Sequence, residues 1–281
     1  MTPSHSLQDL AGRLQHRHLP FENGLVAWHC MGEGPPLVLL HGGHGSWAHW
    51  ARNLPALARH FTVCAVDLPG YGESSLPVEP TLASLLDATH STLDALLGAG
   101  TPILLAGFSF GGLVATHLAA RRGAVRALAL LGPAGHGAPR RPRGEQRPWR
   151  EALANGDDAA LQDAMRHNLE LHMLAGPANE EALAIHLQAC QRTRFHSKRL
   201  SRAASLGDSL QALRCPVLLA WGEHDVTASP HALAPLLAAR CTQAQTRVVP
   251  GAGHWVQYEA ADAVNRLLVG WLTAPGVAAG V

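Results

Sequence analysis

Short apolar runs recur along the chain, with longer amphipathic stretches between them. In the first half the runs are Leu37-Val-Leu-Leu40, Phe61-Thr-Val-Cys-Ala-Val66, Ile103-Leu-Leu-Ala106 and Val125-Arg-Ala-Leu-Ala-Leu-Leu131. Each has the length and near-continuous apolarity of a strand buried on both faces of a parallel sheet. The stretches between them carry apolar residues at helical spacing, over about 48–59, 82–97 and 112–122, with Thr81 or Ser84 able to cap the second. Strands alternating with helices imply βαβ crossovers. Ahead of them, His18 to Met31 reads as strand, Asn23-Gly24, strand, which predicts a hairpin with a type I′ turn. The first sixteen residues do not decide between a short helix and a loose segment.

The alternation breaks at Gly132. Residues 139–150 hold Arg140, Arg141, Arg143, Arg147 and Arg150 among three prolines, and read as a solvated loop. From Asp157 to Phe195 the period is helical, with a break at Gly176-Pro177, and no strand signal returns before Pro216. Then come Val217-Leu-Leu-Ala-Trp221, a helix over about 230–240, the strand Thr246-Arg-Val-Val249 and a last helix over about 256–272. The expected fold class is α/β, a mostly parallel central sheet flanked by helices. Residues 1–136 and 207–273 would form the core, 137–206 a helical cap laid over the sheet, and 274–281 a flexible tail.

The 281 residues suffice for such a core, and 47% of them are hydrophobic. A formal charge of +1 gives no electrostatic case for nucleic acid or an acidic membrane surface, and the arginine run lacks interleaved stacking aromatics. No apolar run reaches the length of a membrane span, and Met1 to Leu10 lacks the basic start and apolar core of a signal peptide. Five dispersed cysteines without a C-x-x-C pair fit reduced thiols, so a cytoplasmic location is expected. The 18 histidines show no H-x-x-x-H pattern with an acidic partner, so neither metal nor cofactor is expected. The expected partner is a small-molecule substrate; self-association is left open.

Chemistry concentrates where the strands end. Ile103-Leu-Leu-Ala106 runs into Gly107-Phe108-Ser109-Phe110-Gly111, a G-x-S-x-G pentad, and then into a helical run. Strand, sharp turn and helix are the setting of a nucleophile elbow. Glycines at 107 and 111 remove side chains that would collide with the flanking strand and helix. The helix start points free N–H groups and a positive dipole end at the serine. A serine needs a base, and the base a third group that fixes its tautomer. His254 follows the last strand; Asp225 and Glu223 both follow Trp221, and Asp225 is favoured because a short carboxylate suits the turn. Two N–H donors are also required. Phe110 supplies one, and Gly43, in the loop after Leu40, the other. His44, Trp47 and Trp50 stand near that loop, the tryptophans fitting a core role equally well.

Five segments, HGGHGS at 41–46, DLPGYGES at 67–74, GFSFGG at 107–112, WGEHD at 221–225 and GHWVQYE at 253–259, together resemble the α/β-hydrolase superfamily over nearly the whole chain. The order Ser109, Asp225, His254 is also that superfamily's order. A serine nucleophile separates the chain from the haloalkane dehalogenase and epoxide hydrolase branches, which use a carboxylate. Within the superfamily, the HGG loop and the GHW segment resemble the meta-cleavage-product hydrolases, which cleave a carbon–carbon bond in vinylogous diketone acids. Two positions depart. That family has Asn before the nucleophile, where Phe108 stands here. Its cap arginine, which holds the substrate carboxylate, aligns near His186, with Arg192 and Arg194 the cations close by. The resemblance implies a serine hydrolase of a small carbonyl substrate, an ester or a carbon–carbon bond, with Gly42, His44, Phe108, Arg192, Arg194 and Trp255 at the substrate. The alternative is a non-catalytic ligand-binding member of the same fold; such a protein would be expected to lack one of the reacting groups.

Overall fold

The computed structural model describes residues 7–278. Eight strands form one sheet: β1 (Gln15–Phe21), β2 (Gly24–Met31), β3 (Pro36–Leu40), β4 (Thr62–Val66), β5 (Ile103–Phe108), β6 (Val125–Leu131), β7 (Val217–Gly222) and β8 (Ala244–Val249). Their spatial order is β1-β2-β4-β3-β5-β6-β7-β8. β1 pairs antiparallel with β2, and β2 with β4; every later pairing is parallel. The fold class is therefore α/β, as the alternation implies.

Thirteen helices accompany the sheet among the described residues. In the core they are α1 (Leu7–Ala11), α2 (Leu54–Leu57), α3 (Leu82–Leu97) and α4 (Phe110–Arg122). Between β6 and β7 lie α5 (Arg150–Ala154), α6 (Asp158–His172), α7 (Glu180–Gln191), α8 (Lys198–Ser201) and α9 (Leu206–Gln211). The chain ends with α10 (Pro230–Ala238), α11 (Val256–Glu259), α12 (Ala261–Leu272) and α13 (Pro275–Ala278). No helix among the described residues is long and apolar enough to cross a membrane.

Alternate residues of each central strand face opposite sides. Leu37, Leu39, Val63, Ala65, Leu104 and Ala106 pack with Trp50 and α12, while Val38, Leu40, Cys64, Val66, Ile103 and Leu105 pack with α3 and α4. Both faces are thus covered, which explains why these strands read as continuous apolar runs. The α5–α9 insert has a small core of its own, Leu161, Met165, Leu183 and Cys190. It is pinned to the body by Phe195, whose ring lies 6.0 Å from Phe110 and 6.1 Å from Tyr71.

Several elements differ from their sequence pattern. The hairpin turn is Glu22-Asn23, since Phe21 pairs with Gly24. Only Glu22 of the turn has a positive φ, so a type I′ turn, which needs two, does not form. The helix expected over 48–59 is a 3₁₀ turn, Trp47–Trp50, followed by the separate α2. Pro55 is the reason: without an N–H it cannot continue a helix begun at 48. The last helix is likewise two, divided at Ala260. The tail expected to be flexible from 274 instead forms α13, with Val277 buried in the core. Residues 1–6 and 279–281, which the undecided N-terminal segment and the tail include, lie outside the described residues.

Candidate active site

β5 ends at Phe108 and α4 begins at Phe110, leaving Ser109 alone in the turn at φ 52°, ψ −117°. A non-glycine residue held there is strained, and the surroundings must over-determine it. They do so through close approach. A Cβ on Gly111 would lie 2.3 Å from the His41 carbonyl oxygen and 2.5 Å from that of Leu40. Only glycine lets α4 start this near β3.

The Ser109 hydroxyl donates to His254 Nε2 at 2.9 Å, and His254 Nδ1 donates to Asp225 Oδ2 at 2.8 Å. His254 and Asp225 sit in the loops after β8 and β7, and Ser109 follows β5, so all three stand at carboxyl ends of parallel strands. Gly132, at the end of β6, leaves the space they occupy: a Cβ there would lie 3.0 Å from Asp225 Oδ2 and 3.1 Å from the His254 ring. Thr227, which sequence reasoning missed, donates both its N–H and its O–H to Asp225 Oδ1 at 2.7 Å. The signal was present, since a residue two positions after an Asp commonly closes an Asx turn. Burial works against the Asp225 carboxylate, but His254 and the Thr227 hydrogen bonds hold its pKa below the ordinary range. Glu223, the competing acid, is part exposed and accepts from the Gly251 N–H at 2.9 Å, away from His254.

Phe110 opens α4, so its N–H belongs to the first turn, which the helix leaves unpaired. The Gly43 N–H has no partner among the described residues. Its neighbour Gly42 does: the Gly42 N–H donates to His49 Nδ1 at 3.3 Å. His49 is fully buried, and burial first, then His41, His186 and His254, drive its pKa well below the usual value. It therefore stays neutral and can accept. Ser197, from the insert, closes over this loop; its Oγ would lie 2.8 Å from a Cβ at Gly43. No motif marks it, because it arrives from a distant part of the chain.

The expected substrate contacts divide. His44 is exposed beside Gly43 with φ 54°. Phe108 is fully buried with its ring 5.0 Å from that of His254, so it supports the histidine from the protein side. Trp255 is equally buried: its indole N–H donates to the His49 carbonyl at 3.0 Å and its ring stacks on Tyr258 at 4.2 Å, which makes it a packing residue. Trp50 is core as well, while Trp47 is only partly covered. Arg192 and Arg194 are turned onto the loop after β4. Arg194 donates to the Ser74 carbonyl, and Arg192 lies 4.0 Å from Glu73.

Other cations lie nearer His254 and Asp225. The segment 139–150, expected to be a solvated loop, runs in part beside Asp225, and Arg140, Arg141 and Arg143 are half-buried there. The Arg141 N–H donates to the Val226 carbonyl at 3.1 Å. Arg143 donates to His172 Nδ1, and His172 is close enough to sense His254. Loss of hydration, then Arg143, lowers the His172 pKa to about 3. His186 is lowered to about 4, by desolvation and then by His44. Arg140 is depressed by desolvation first and by Arg202 next, with Asp225 opposing. No carboxylate forms an ion pair with Arg140, Arg143 or Arg202 among the described residues.

Residues 35–261 match the family model for the alpha/beta hydrolase fold. The chain is 31% identical to a pimeloyl-[acyl-carrier protein] methyl ester esterase of Chromobacterium violaceum, over 83% of this chain and 85% of the relative. It is 30% identical to a 2-hydroxymuconate semialdehyde hydrolase of Pseudomonas sp. strain CF600, over 89% and 91%. It is 32% identical, over 88% of its own length, to a dihydrolipoyllysine-residue acetyltransferase component of an acetoin cleaving system from Pseudomonas putida, spanning 66% of that longer protein. By sequence match and by sheet topology, the chain belongs to the alpha/beta hydrolase fold family.

Proposed function

We propose that this enzyme is a serine hydrolase of small carbonyl compounds that carry an anionic group, with a carboxylic ester as the bond it breaks. The observation that carries this reading is the unbroken line from Ser109 Oγ through His254 to Asp225, at 2.9 and 2.8 Å. His254 Nε2 takes the Ser109 proton as Oγ attacks the carbonyl carbon. Asp225 holds the imidazole in the Nδ1–H tautomer and stabilises the imidazolium that forms. The N–H groups of Phe110 and Gly43 receive the negative oxygen of the tetrahedral intermediate. His254 then protonates the leaving alcohol, and a water activated by the same imidazole releases the acid. A non-catalytic reading would leave these five groups without a purpose.

Arginines without a carboxylate partner among the described residues support the anionic group. A carboxylate brought into a partly desolvated site needs a cation, and a guanidinium offers it a bidentate partner. Arg143, fixed against His172, is the residue assigned to that contact in place of Arg192 and Arg194. The same pair favours a second reading. A vinylogous diketone acid also carries a carboxylate, and the similarity to the 2-hydroxymuconate semialdehyde hydrolase supports carbon–carbon cleavage.

The test joins active-site labelling to a substrate panel. A fluorophosphonate should label the wild type and fail on Ser109→Ala. The panel compares a neutral p-nitrophenyl ester, a p-nitrophenyl hemiester of a diacid and a 2-hydroxy-6-oxo-dienoate. Arg143→Gln should lower kcat/KM for the anionic compounds about ten- to a hundredfold, the worth of a hydrogen bond to a charged group, and leave the neutral ester nearly unchanged. Absence of labelling would remove the hydrolase reading. Equal effects on charged and neutral esters would remove the clamp.

A further inference from the structure

A second cluster lies away from Ser109, where the edge hairpin meets the loop after β4. His16 of β1 and His29 of β2 are direct cross-strand partners, so the ladder sets their side chains side by side. Their Nδ1 atoms are 3.0 Å apart. Each ring is held from its other nitrogen. His16 Nε2 lies 3.1 Å from the Ala11 carbonyl oxygen, and His29 Nε2 lies 3.3 Å from Asp67 Oδ2. Both of those partners can only accept, so both Nε2 atoms are the protonated ones. With both rings neutral, the two Nδ1 atoms face each other as bare lone pairs, an arrangement that repels unless a proton or a metal ion sits between them.

The rest of the surroundings identifies the electrophile. A carboxylate oxygen of Glu73 and one ring nitrogen of each histidine lie within 4.8 Å of one another. Glu73 is fixed at its backbone by an N–H bond to Asp67 Oδ2 at 2.9 Å, and its carboxylate is met by His18 Nε2 at 3.3 Å. Imidazoles anchored through their far N–H by a carbonyl and a carboxylate, with a second, hydrogen-bonded carboxylate beside them, have the outer shell that metal-ligating histidines require. Beside the cluster is a cavity of about 200 Å³, lined by His16, Trp47, Asp67, Glu73, Gln188 and Arg192, which supplies an entry path and room for an exogenous ligand.

We propose that His16 Nδ1, His29 Nδ1 and the Glu73 carboxylate form a binding site for Zn²⁺, with its fourth position open to the cavity. Two imidazoles and one carboxylate are a donor set for a borderline first-row ion. Tetrahedral ligands at about 2.0–2.2 Å from the ion stand roughly 3.4 Å apart. The histidine pair needs to open by only a few tenths of an ångström to reach that spacing, and the exposed Glu73 side chain closes the rest by rotation. The ion ties the edge hairpin to the 67–74 loop. No short sequence motif announces such a site, because a cross-strand pair leaves no helical spacing; the expectation of no metal rested on that spacing.

The experiment uses the full chain, stripped with a chelator, dialysed and titrated with ZnCl₂ by calorimetry. The wild type should take up one tight equivalent, and its thermal midpoint should rise. His16→Ala, on an exposed strand, should fold normally by circular dichroism and bind at least about a hundredfold more weakly, with no rise in midpoint. Glu73→Gln should weaken binding about ten- to a hundredfold. Co²⁺ in place of Zn²⁺ should broaden the ring resonances of His16 and His29 in histidine-selective NMR. The proposal fails if the wild type takes up no tight equivalent, if His16→Ala binds as tightly as the wild type, or if the broadened resonances belong to other histidines.

Discussion

Two carboxylates stand two residues apart after β7, and the fold treats them differently. Asp225 is fully buried and receives His254 and both donors of Thr227; Glu223 remains on the surface and serves the Gly251 N–H. Asp225→Asn should therefore lower kcat about 10⁴-fold, because an amide stabilises the wrong tautomer of His254. Glu223→Gln should leave turnover near wild type. Steady-state kinetics on one ester checks both, and the acid assignment is reversed if Glu223→Gln is the more damaging. Residues of this kind were legible because each lies in its own local motif at a strand end. Ser109 stands in a G-x-S-x-G turn, Asp225 and His254 just past apolar runs. The proposed cation, Arg143, was not legible. Arg192 and Arg194 have the composition of a clamp, but backbone carbonyls and Glu73 around the 67–74 loop claim them. Arg143 sits in a proline-rich stretch whose composition reads as solvent, and only the tertiary path of that stretch brings it to His172.

At the scale of elements, the approach of α4 to β3 is a tight requirement of the site. Gly111→Ala would drive a methyl group onto two backbone carbonyls, which cannot yield as a flexible side chain would. Overpacking costs about 1–3 kcal/mol where side chains can adjust, and this contact should reach or exceed the upper end. Urea unfolding should show that loss, with weaker fluorophosphonate labelling as Ser109 leaves its turn; a wild-type midpoint would mean that α4 can slide along the sheet. The strands and the long helices were readable because their burial imposes a period, as in α3, where a Thr81–Ser84 capping box also marks the start. The failures share a cause: local rules outranked by tertiary contacts or by one special residue. Pro55 splits a helix that the apolar period joins. The hairpin turns one residue earlier than Asn23-Gly24 because the cross-strand register of β1 with β2 takes precedence over turn preference.

On the scale of the whole molecule, the uneven ionisation of the buried histidines makes stability depend on pH. His41 and His49 are fully buried, His172 and His186 partly so, and in each of the four desolvation is the first cause of a lowered pKa. In the unfolded chain each returns to about 6.5 and binds a proton below that pH. The unfolded state then holds more protons than the native state, so unfolding free energy rises with pH across this window and falls as acid is added. Each such histidine contributes a slope of about 1.4 kcal/mol per pH unit below 6.5, until the folded protein itself protonates. Asp67 and Asp225 act in a lower window. Burial opposes their ionisation, but His29 and His254 with the surrounding hydrogen bonds leave their pKa values depressed. Their contribution is complete above about pH 4 and is lost only as pH falls toward the folded values. Loss of stability on acidification should therefore begin near pH 6.5, well before any carboxylate protonates. Urea midpoints measured from pH 8 to pH 5 in chelator-treated protein test this. His49→Gln, which can still accept from the Gly42 N–H, should lower the slope by about one proton. Midpoints that stay level down to pH 5 would show that these histidines are protonated in the fold.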